Sequence, residues 1–219
     1  SPTNPWGWVE ATVAEGPKQL RDRIIKRAFD IVLAATCLAL MAPLFAVIAL
    51  LIKLDSPGPV FFKQARVGQT NRMFRMLKFR SMYTEKCDRN GHVSTDRKDP
   101  RVTRFGQFIR RSSLDELPQI INILRGEMSF VGPRPHALGS KAGEELFWEL
   151  DARYWRRHLL PPGLTGLAQV RGFRGATPEA EDLLHRLSAD LEYIRGWSVL
   201  RDFAIIGRTL RVLVHKNAY

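Results

Sequence analysis

The chain has 219 residues, with 34 Lys and Arg against 22 Asp and Glu, for a formal net charge of +12. That length holds one well-buried domain with room for an appendage. The charge directs attention to anionic partners: phosphorylated small molecules, nucleic acid or a lipid surface. Cys37 and Cys87 lie in unrelated surroundings, and the five His residues lack ligand spacing. Neither a disulfide framework nor a metal–histidine centre is expected, and a reducing compartment is the simpler reading.

The first feature in chain order is FDIVLAATCLALMAPLFAVIALLIKL. Its 22 residues from Ile31 to Ile52 carry no charge. As a helix they would extend about 33 Å, enough for a hydrocarbon core of about 30 Å. The stretch is too long for a signal peptide and lacks a small-residue cleavage site. A plain transmembrane span is the simplest reading, but two facts oppose it. Pro43 lies near the middle, where it removes one backbone donor. Both flanks are basic: Lys18, Arg21, Arg23, Lys26 and Arg27 precede the run, and Lys53, Lys63, Arg66, Arg72, Arg75, Lys78 and Arg80 follow it. Cations mark the cytoplasmic side, so cations at both ends place both ends on one side. A helix broken near Ala42-Pro43 that dips into the bilayer and returns satisfies both facts and is preferred to a straight span.

After Ser56-Pro57-Gly58-Pro59 stops the helix, VFFKQARVG and RMFRMLKFRSM read as two strands joined by QTN, a β-hairpin. Residues 84–100 are polar and punctuated by Gly and Pro, a loop. Helical readings resume in RFGQFIRR and LPQIINILRGEM, and the GPRP of residues 132–135 ends the second. LLPPGLTGLAQVRGFRG is expected to be a turn-rich loop over 159–175. PEAEDLLHRLSADLEYIRGW predicts an amphipathic helix from near Thr177, with Pro178 at its first position. In GWSVLRDFAIIGRTLRVLVHK, Trp197, Leu200, Phe203, Ala204, Ile206, Leu210 and Leu213 recur at near-helical spacing among Arg201, Arg208 and Arg211. That basic amphipathic helix suits either the headgroup layer or the protein's own core. Trp6 and Trp8 suit an interface as well but carry little weight. No P-loop or GxGxxG occurs.

SSLDELPQ, residues 112–119, places Asp115 beside Glu116 just after Arg110 and Arg111. One reading is structural: Ser113 and Glu116 form a capping box, which would leave Pro118 inside the helix. The other starts the helix at Pro118, with the acids in the loop before it. In both, a helix N-terminus and nearby arginines should depress both carboxyl pKa values. An ionised, partly desolvated Asp among cations is suited to attack phosphorus and form an acyl-phosphate. Lys78, Arg80, Arg110 and Arg134 are candidates to neutralise phosphate charge. Asp115 or Glu116 is a candidate ligand for Mg²⁺, which prefers one or two carboxylates plus phosphate oxygens. The competing reading is a non-catalytic, basic, membrane-attached adaptor for nucleic acid or anionic lipid, with the acids only capping a helix.

FKQARVG, MLKFRSM, SSLDELPQ with INILRGEMSFVGPRP, and PGLTGLAQV occur in order from about Lys26 to the C-terminus. Together they resemble the bacterial sugar transferase family, the monotopic phosphoglycosyl transferases; LDELPQ and FVGPRP are the most specific stretches. The resemblance implies a mainly α fold with a short β-hairpin (α+β). Its parts would be a basic extension (1–28), a re-entrant membrane hairpin (29–54), a compact cytoplasmic catalytic domain (55–190) and an interfacial C-terminal helix (191–219). It also implies transfer of a sugar-1-phosphate from a UDP-sugar to undecaprenyl phosphate with release of UMP, at the cytoplasmic face of a bacterial inner membrane. By the same resemblance Asp115 is the nucleophile, Glu116 its dyad partner, and Lys78, Arg80, Arg110 and Arg134 the phosphate-binding cations. Mg²⁺ is the expected cofactor, on Asp115 or Glu116. The bilayer is a partner, nucleic acid is not, and homodimerisation is left open. Some members have Ser-Pro at the membrane bend where this chain has Ala42-Pro43. Some read NGR where it has Arg171-Gly172-Phe173, so the donor sugar does not carry over.

Overall fold

A computed structural model describes residues 20–84, 99–137, 139–142, 145–173 and 180–214. The expected start of the 178-region helix, Trp6, Trp8, Cys87 and most of the 84–100 loop lie outside these residues. Helix α1 spans Leu20–Asp55, a run of 36 residues. Helical backbone continues through Ala42 and Pro43, where a break had been expected. Proline removes a single donor, and the apolar neighbours sustain the helix on either side.

One stripe of α1 touches the rest of the protein from end to end. Ala34 joins the main core with Cys37, Leu38 and Met41 beside it, while Ile48 and Ile52 join a second core with Phe45. Polar ties fasten both ends. Lys26 donates to Asp202 Oδ2 at 2.7 Å and to the Val131 carbonyl at 3.1 Å. Asp30 accepts from the Ser129 hydroxyl and the Phe130 N–H, and Asp55 accepts from the Phe105 N–H. The opposite face is bare: Val32, Leu40, Val47 and Leu50 are exposed, and only 11 % of the most apolar window is buried. A soluble core helix would be buried on such residues; this one is not.

The expected hairpin forms. Strands β1 (Phe61–Val67) and β2 (Met73–Phe79) pair antiparallel from Phe61 opposite Phe79 to Val67 opposite Met73. A short 3-10 turn over Gln69–Asn71 joins them. Helix α2 (Arg104–Arg111) is capped by Thr103, whose hydroxyl accepts from the Gly106 N–H at 3.0 Å. Helix α3 (Gln119–Arg125) follows, ending at Gly126 in the left-handed region (φ 81°).

Strand β3 (Ser129–Val131) pairs in parallel with β6 (Gly163–Thr165). The segment expected to be a loop over 159–175 therefore holds a strand and helix α5 (Leu167–Val170). Three residues per strand are too few for periodicity to reveal, and the pairing is long-range. Gly132 and Gly163 permit the close approach: a Cβ on Gly132 would come within 2.4 Å of the Pro161 carbonyl oxygen. Between them lie the two-residue strands β4 (Lys141–Ala142) and β5 (Glu145–Leu146), helix α4 (Phe147–Leu150) and a 3-10 segment over Ala152–Leu159.

Helix α6 (Ala180–Arg195) buries Leu183, Leu187, Tyr193 and Ile194. Helix α7 (Val199–Val214) packs on the core by one side, where Asp202 and Ile205 are buried, and leaves Leu200, Phe203 and Leu210 exposed on the other. Phe203 meets Phe29 of α1 edge-on, ring centroids 4.8 Å apart, so the bare faces of α1 and α7 adjoin.

Candidate active site

Asp115 and Glu116 occupy a 3-10 turn, Leu114–Glu116, between α2 and α3. Ser113 reverses the chain just before it, in the left-handed region at φ 57°. No capping box forms: the Ser113 side chain caps nothing, and α3 begins after Pro118. The second sequence reading holds, with both acids ahead of the helix. Glu116 is thereby released to face β2 and the loop after β3.

Lys78 of β2 donates to Glu116 Oε1 at 2.8 Å, and Arg134 donates to the same oxygen at 2.7 Å. Asn122, fully buried, sets the distance between these elements. Its Oδ1 accepts from the Leu77 N–H at 2.9 Å and its Nδ2 donates to the Arg75 carbonyl at 2.8 Å, pinning α3 to the β2 backbone one residue from Lys78. Arg134 is positioned by its own carbonyl, which accepts from Arg157 Nη2 at 2.8 Å.

The two acids differ in ionisation. Burial works to raise the Glu116 pKa, but the charges and hydrogen bonds of Arg134 and Lys78 outweigh it and hold the carboxyl well below its usual range. Asp115 is 9 % exposed. Burial raises its pKa, Lys78 opposes, Glu116 adds to the rise, and Arg110 and Arg134 oppose; the net direction is up. The expectation that both would be depressed is corrected for Asp115, because it lacks the direct ion pairs that Glu116 has. The arrangement is one firmly anionic carboxylate beside a desolvated one, ringed by cations. Such an Asp, freed of water on approach of a phosphate, is a reactive oxygen nucleophile.

Of the predicted cations, Lys78, Arg110 and Arg134 act on the dyad, whereas Arg80 has another occupation. It is 3 % exposed and donates to the carbonyls of Ile52, Ser56 and Pro57 and to the Thr84 hydroxyl, closing the C-terminal end of α1. Sequence reasoning passed over Asn122 at the α3–β2 joint, and Arg66, His136, Arg157 and Arg186 on the Arg134 side of the site. The FKQARVG and GPRPH stretches contain two of them, but nothing local says they meet.

Among the described residues no cluster of three or more His, Cys, Asp or Glu is formed to hold a metal. The donor set fits Mg²⁺ only as an ion shared with substrate phosphates, on Asp115 and the part of Glu116 not taken by Lys78 and Arg134.

Residues 21–216 match the model of the family described as bacterial sugar transferase. The chain is 51 % identical over 199 residues to the undecaprenyl-phosphate glucose phosphotransferase of Komagataeibacter xylinus, covering 90 % of this chain and 37 % of that protein. It is 48 % identical to the exopolysaccharide production protein PSS of Rhizobium leguminosarum bv. phaseoli, covering 86 % of this chain and 94 % of that one. It is also 48 % identical to the UDP-glucose:undecaprenyl-phosphate glucose-1-phosphate transferase of Escherichia coli K12, covering 90 % of this chain and 42 % of that one. The chain thus spans about two fifths of two of these relatives and nearly all of the third. With the LDELPQ dyad and GPRP arginine joined in one site and the match running almost end to end, the chain belongs to the bacterial sugar transferase family.

Proposed function

We propose that the protein transfers a sugar-1-phosphate from a UDP-sugar to undecaprenyl phosphate and releases UMP, through a covalent aspartyl phospho-sugar. The observation that carries this reading is Asp115: desolvated, beside a Glu116 that Lys78 and Arg134 lock in place. An Asp oxygen attacks the β-phosphorus, the bond from that phosphorus to the bridging oxygen breaks, and UMP departs with the electron pair. An oxygen of the lipid phosphate then attacks the same phosphorus, and the bond to Asp115 breaks to restore the carboxylate. The two halves form a ping-pong cycle. Lys78, Arg110 and Arg134 offset the negative charge brought by the phosphates. Bound with the substrate, Mg²⁺ supplies further positive charge to the diphosphate. Glu116 either shares that ion or assists the attack of the lipid phosphate. Relatives named for UDP-glucose make it the first donor to test.

For the anchor, the reading is a re-entrant α1 with the catalytic part at the cytoplasmic face of the inner membrane. It is supported by the fastening of both ends of α1 to one body and by the bare apolar faces of α1 and α7.

The test is UMP release in detergent with Mg²⁺ and UDP-glucose, together with intact-protein mass measurement during turnover. Wild type should release UMP and gain the mass of a hexose phosphate, and Asp115→Asn should do neither. Sugar label retained on the Asn variant would move the nucleophile elsewhere; absence of UMP from every UDP-sugar would favour a non-catalytic adaptor.

A further inference from the structure

Arg134 reaches Glu116 from a loop whose backbone has little freedom. Pro133 and Pro135 each lock their own φ, and Pro135 also disfavours helical backbone at Arg134. The carbonyls along the loop are anchored by several elements. That of Val131 accepts from Lys26 Nζ of α1 and from the Tyr193 hydroxyl of α6, each at 3.1 Å. That of Pro133 accepts from the Gly163 N–H of β6 at 2.9 Å, and that of His136 from the Val67 N–H of β1 at 3.1 Å. At Arg134 itself the anchor is a side chain. Arg157, in the 3-10 segment, donates from Nη2 to the Arg134 carbonyl at 2.8 Å.

Arg157 is 1 % exposed, and each of its guanidinium nitrogens meets an acceptor. Nε and Nη2 donate to Asp190 Oδ2 of α6 at 3.1 and 2.7 Å. Nη1 meets His136 Nδ1. A guanidinium only donates, so Nδ1 accepts and the ring carries its proton on Nε2. Burial, and then Arg157, Arg186 and Arg66, hold the His136 pKa well below its usual value and keep the ring neutral. The guanidinium thus clasps two residues of one loop, Arg134 by its backbone and His136 by its ring. Asp190 faces its charge from α6.

The clasp bears on the dyad because the Arg134 side chain is 38 % exposed. A side chain that open is directed chiefly by its backbone, and its contact with Glu116 Oε1 is a direct one of 2.7 Å. Resting on the function proposed above, we propose that Arg157 is a positioning residue for the phosphate transfer. It acts through Arg134, keeping that guanidinium at Glu116, and touches neither substrate nor Asp115. Lysine in its place would keep a charge opposite Asp190. A single ammonium on a flexible stem does not reach acceptors spread around a planar fork, so the loop would lose part of its hold.

The experiment uses the full chain in detergent with Mg²⁺, undecaprenyl phosphate and whichever radiolabelled UDP-sugar wild type turns over best. Transfer of label to lipid is measured for wild type, Arg157→Lys, Arg134→Gln and the double variant. Arg157→Lys should lower kcat by about tenfold to a hundredfold, as expected when a group that stabilises the transition state is displaced by up to about 1 Å. Added to Arg134→Gln, it should cost less than about twofold more, because the group it places is already gone. A residue serving stability alone would cost the same factor in both backgrounds. His136→Leu and His136→Asn give a second reading, which decides if Arg157→Lys fails to fold or Arg134→Gln is inert. Asn keeps an acceptor near the place of Nδ1 and should retain at least about threefold more turnover than Leu. Full turnover by Arg157→Lys, equal losses in both backgrounds, or equal turnover by the two His136 variants overturns the positioning role while the transferase reading stands. Failure of wild type to release UMP from any donor removes both.

Discussion

At Asp115, burial opposes ionisation, Lys78 favours it, Glu116 next door opposes it again, and Arg110 and Arg134 favour it; opposition prevails. The folded pKa therefore lies above the ordinary 3.8, so ionised Asp115 costs stability wherever the pH exceeds both values. That cost fades as pH falls through the folded value towards 3.8. Glu116 has the opposite sign: its depressed pKa contributes stability above the ordinary 4.5, lost only as pH falls through the folded value. Replacing Asp115 by Asn imitates the protonated acid. We expect the Asp115→Asn protein to have a higher denaturant midpoint than wild type at neutral pH, with the gap closing on acidification. A midpoint equal to or below wild type across that range would mean that the carboxylate is well solvated. Glu116→Gln should not share the gain, because it leaves Lys78 and Arg134 facing a neutral group.

Among the elements, α3 and β2 are the pair on which the dyad depends, and Asn122 is their joint. Asn122→Leu leaves the Leu77 N–H and the Arg75 carbonyl without their partner, at a cost of about 1–3 kcal/mol per stranded group. It should lower the denaturant midpoint and also reduce UMP release, because Lys78 is no longer held at Glu116. A loss of stability with full turnover would show that Asn122 does not position the site. Much of this level was legible in the sequence: the hairpin from alternating FFKQARV and MFRMLKF, α2 and α3 from their apolar spacing, and the start of α3 from Pro118. The meeting of Glu116 with Lys78 and Arg134 also agrees with the grouping read from the sequence. Arg80 was misjudged because a buried arginine capping a helix end and one awaiting phosphate look the same in a string. The β3–β6 pairing, the Asn122 joint and the arginines around His136 stayed hidden for another reason. Each depends on contacts between distant segments: Arg66 and His136 are 70 residues apart, and no local pattern encodes their meeting.

For the whole molecule, the decisive feature is the way α1 is held. Lys26 and Asp30 tie its first half to β3 and α7, while Ile52, Asp55 and the carbonyls bound by Arg80 tie its last turn to the hairpin and α2. In the re-entrant reading proposed above, both attachments stay on one side of the membrane. Single cysteines placed at either flank of residues 29–54 should therefore be equally protected from an impermeant thiol reagent applied outside intact cells, with Cys37 and Cys87 replaced beforehand. Reaction at one flank alone would establish an ordinary crossing.

The same attachment makes α1 and the rest of the protein inseparable. Ala34 fills one hydrophobic interior, and Ile48 and Ile52 fill another that includes Phe79 and Ile109 next to the active turn. Cutting the chain at residue 56 would not free a water-soluble domain; it would pull the stopper from two oily chambers at once. Solubility must instead come from covering the bare side of α1, with detergent, lipid or surface redesign, while its inward stripe is left untouched.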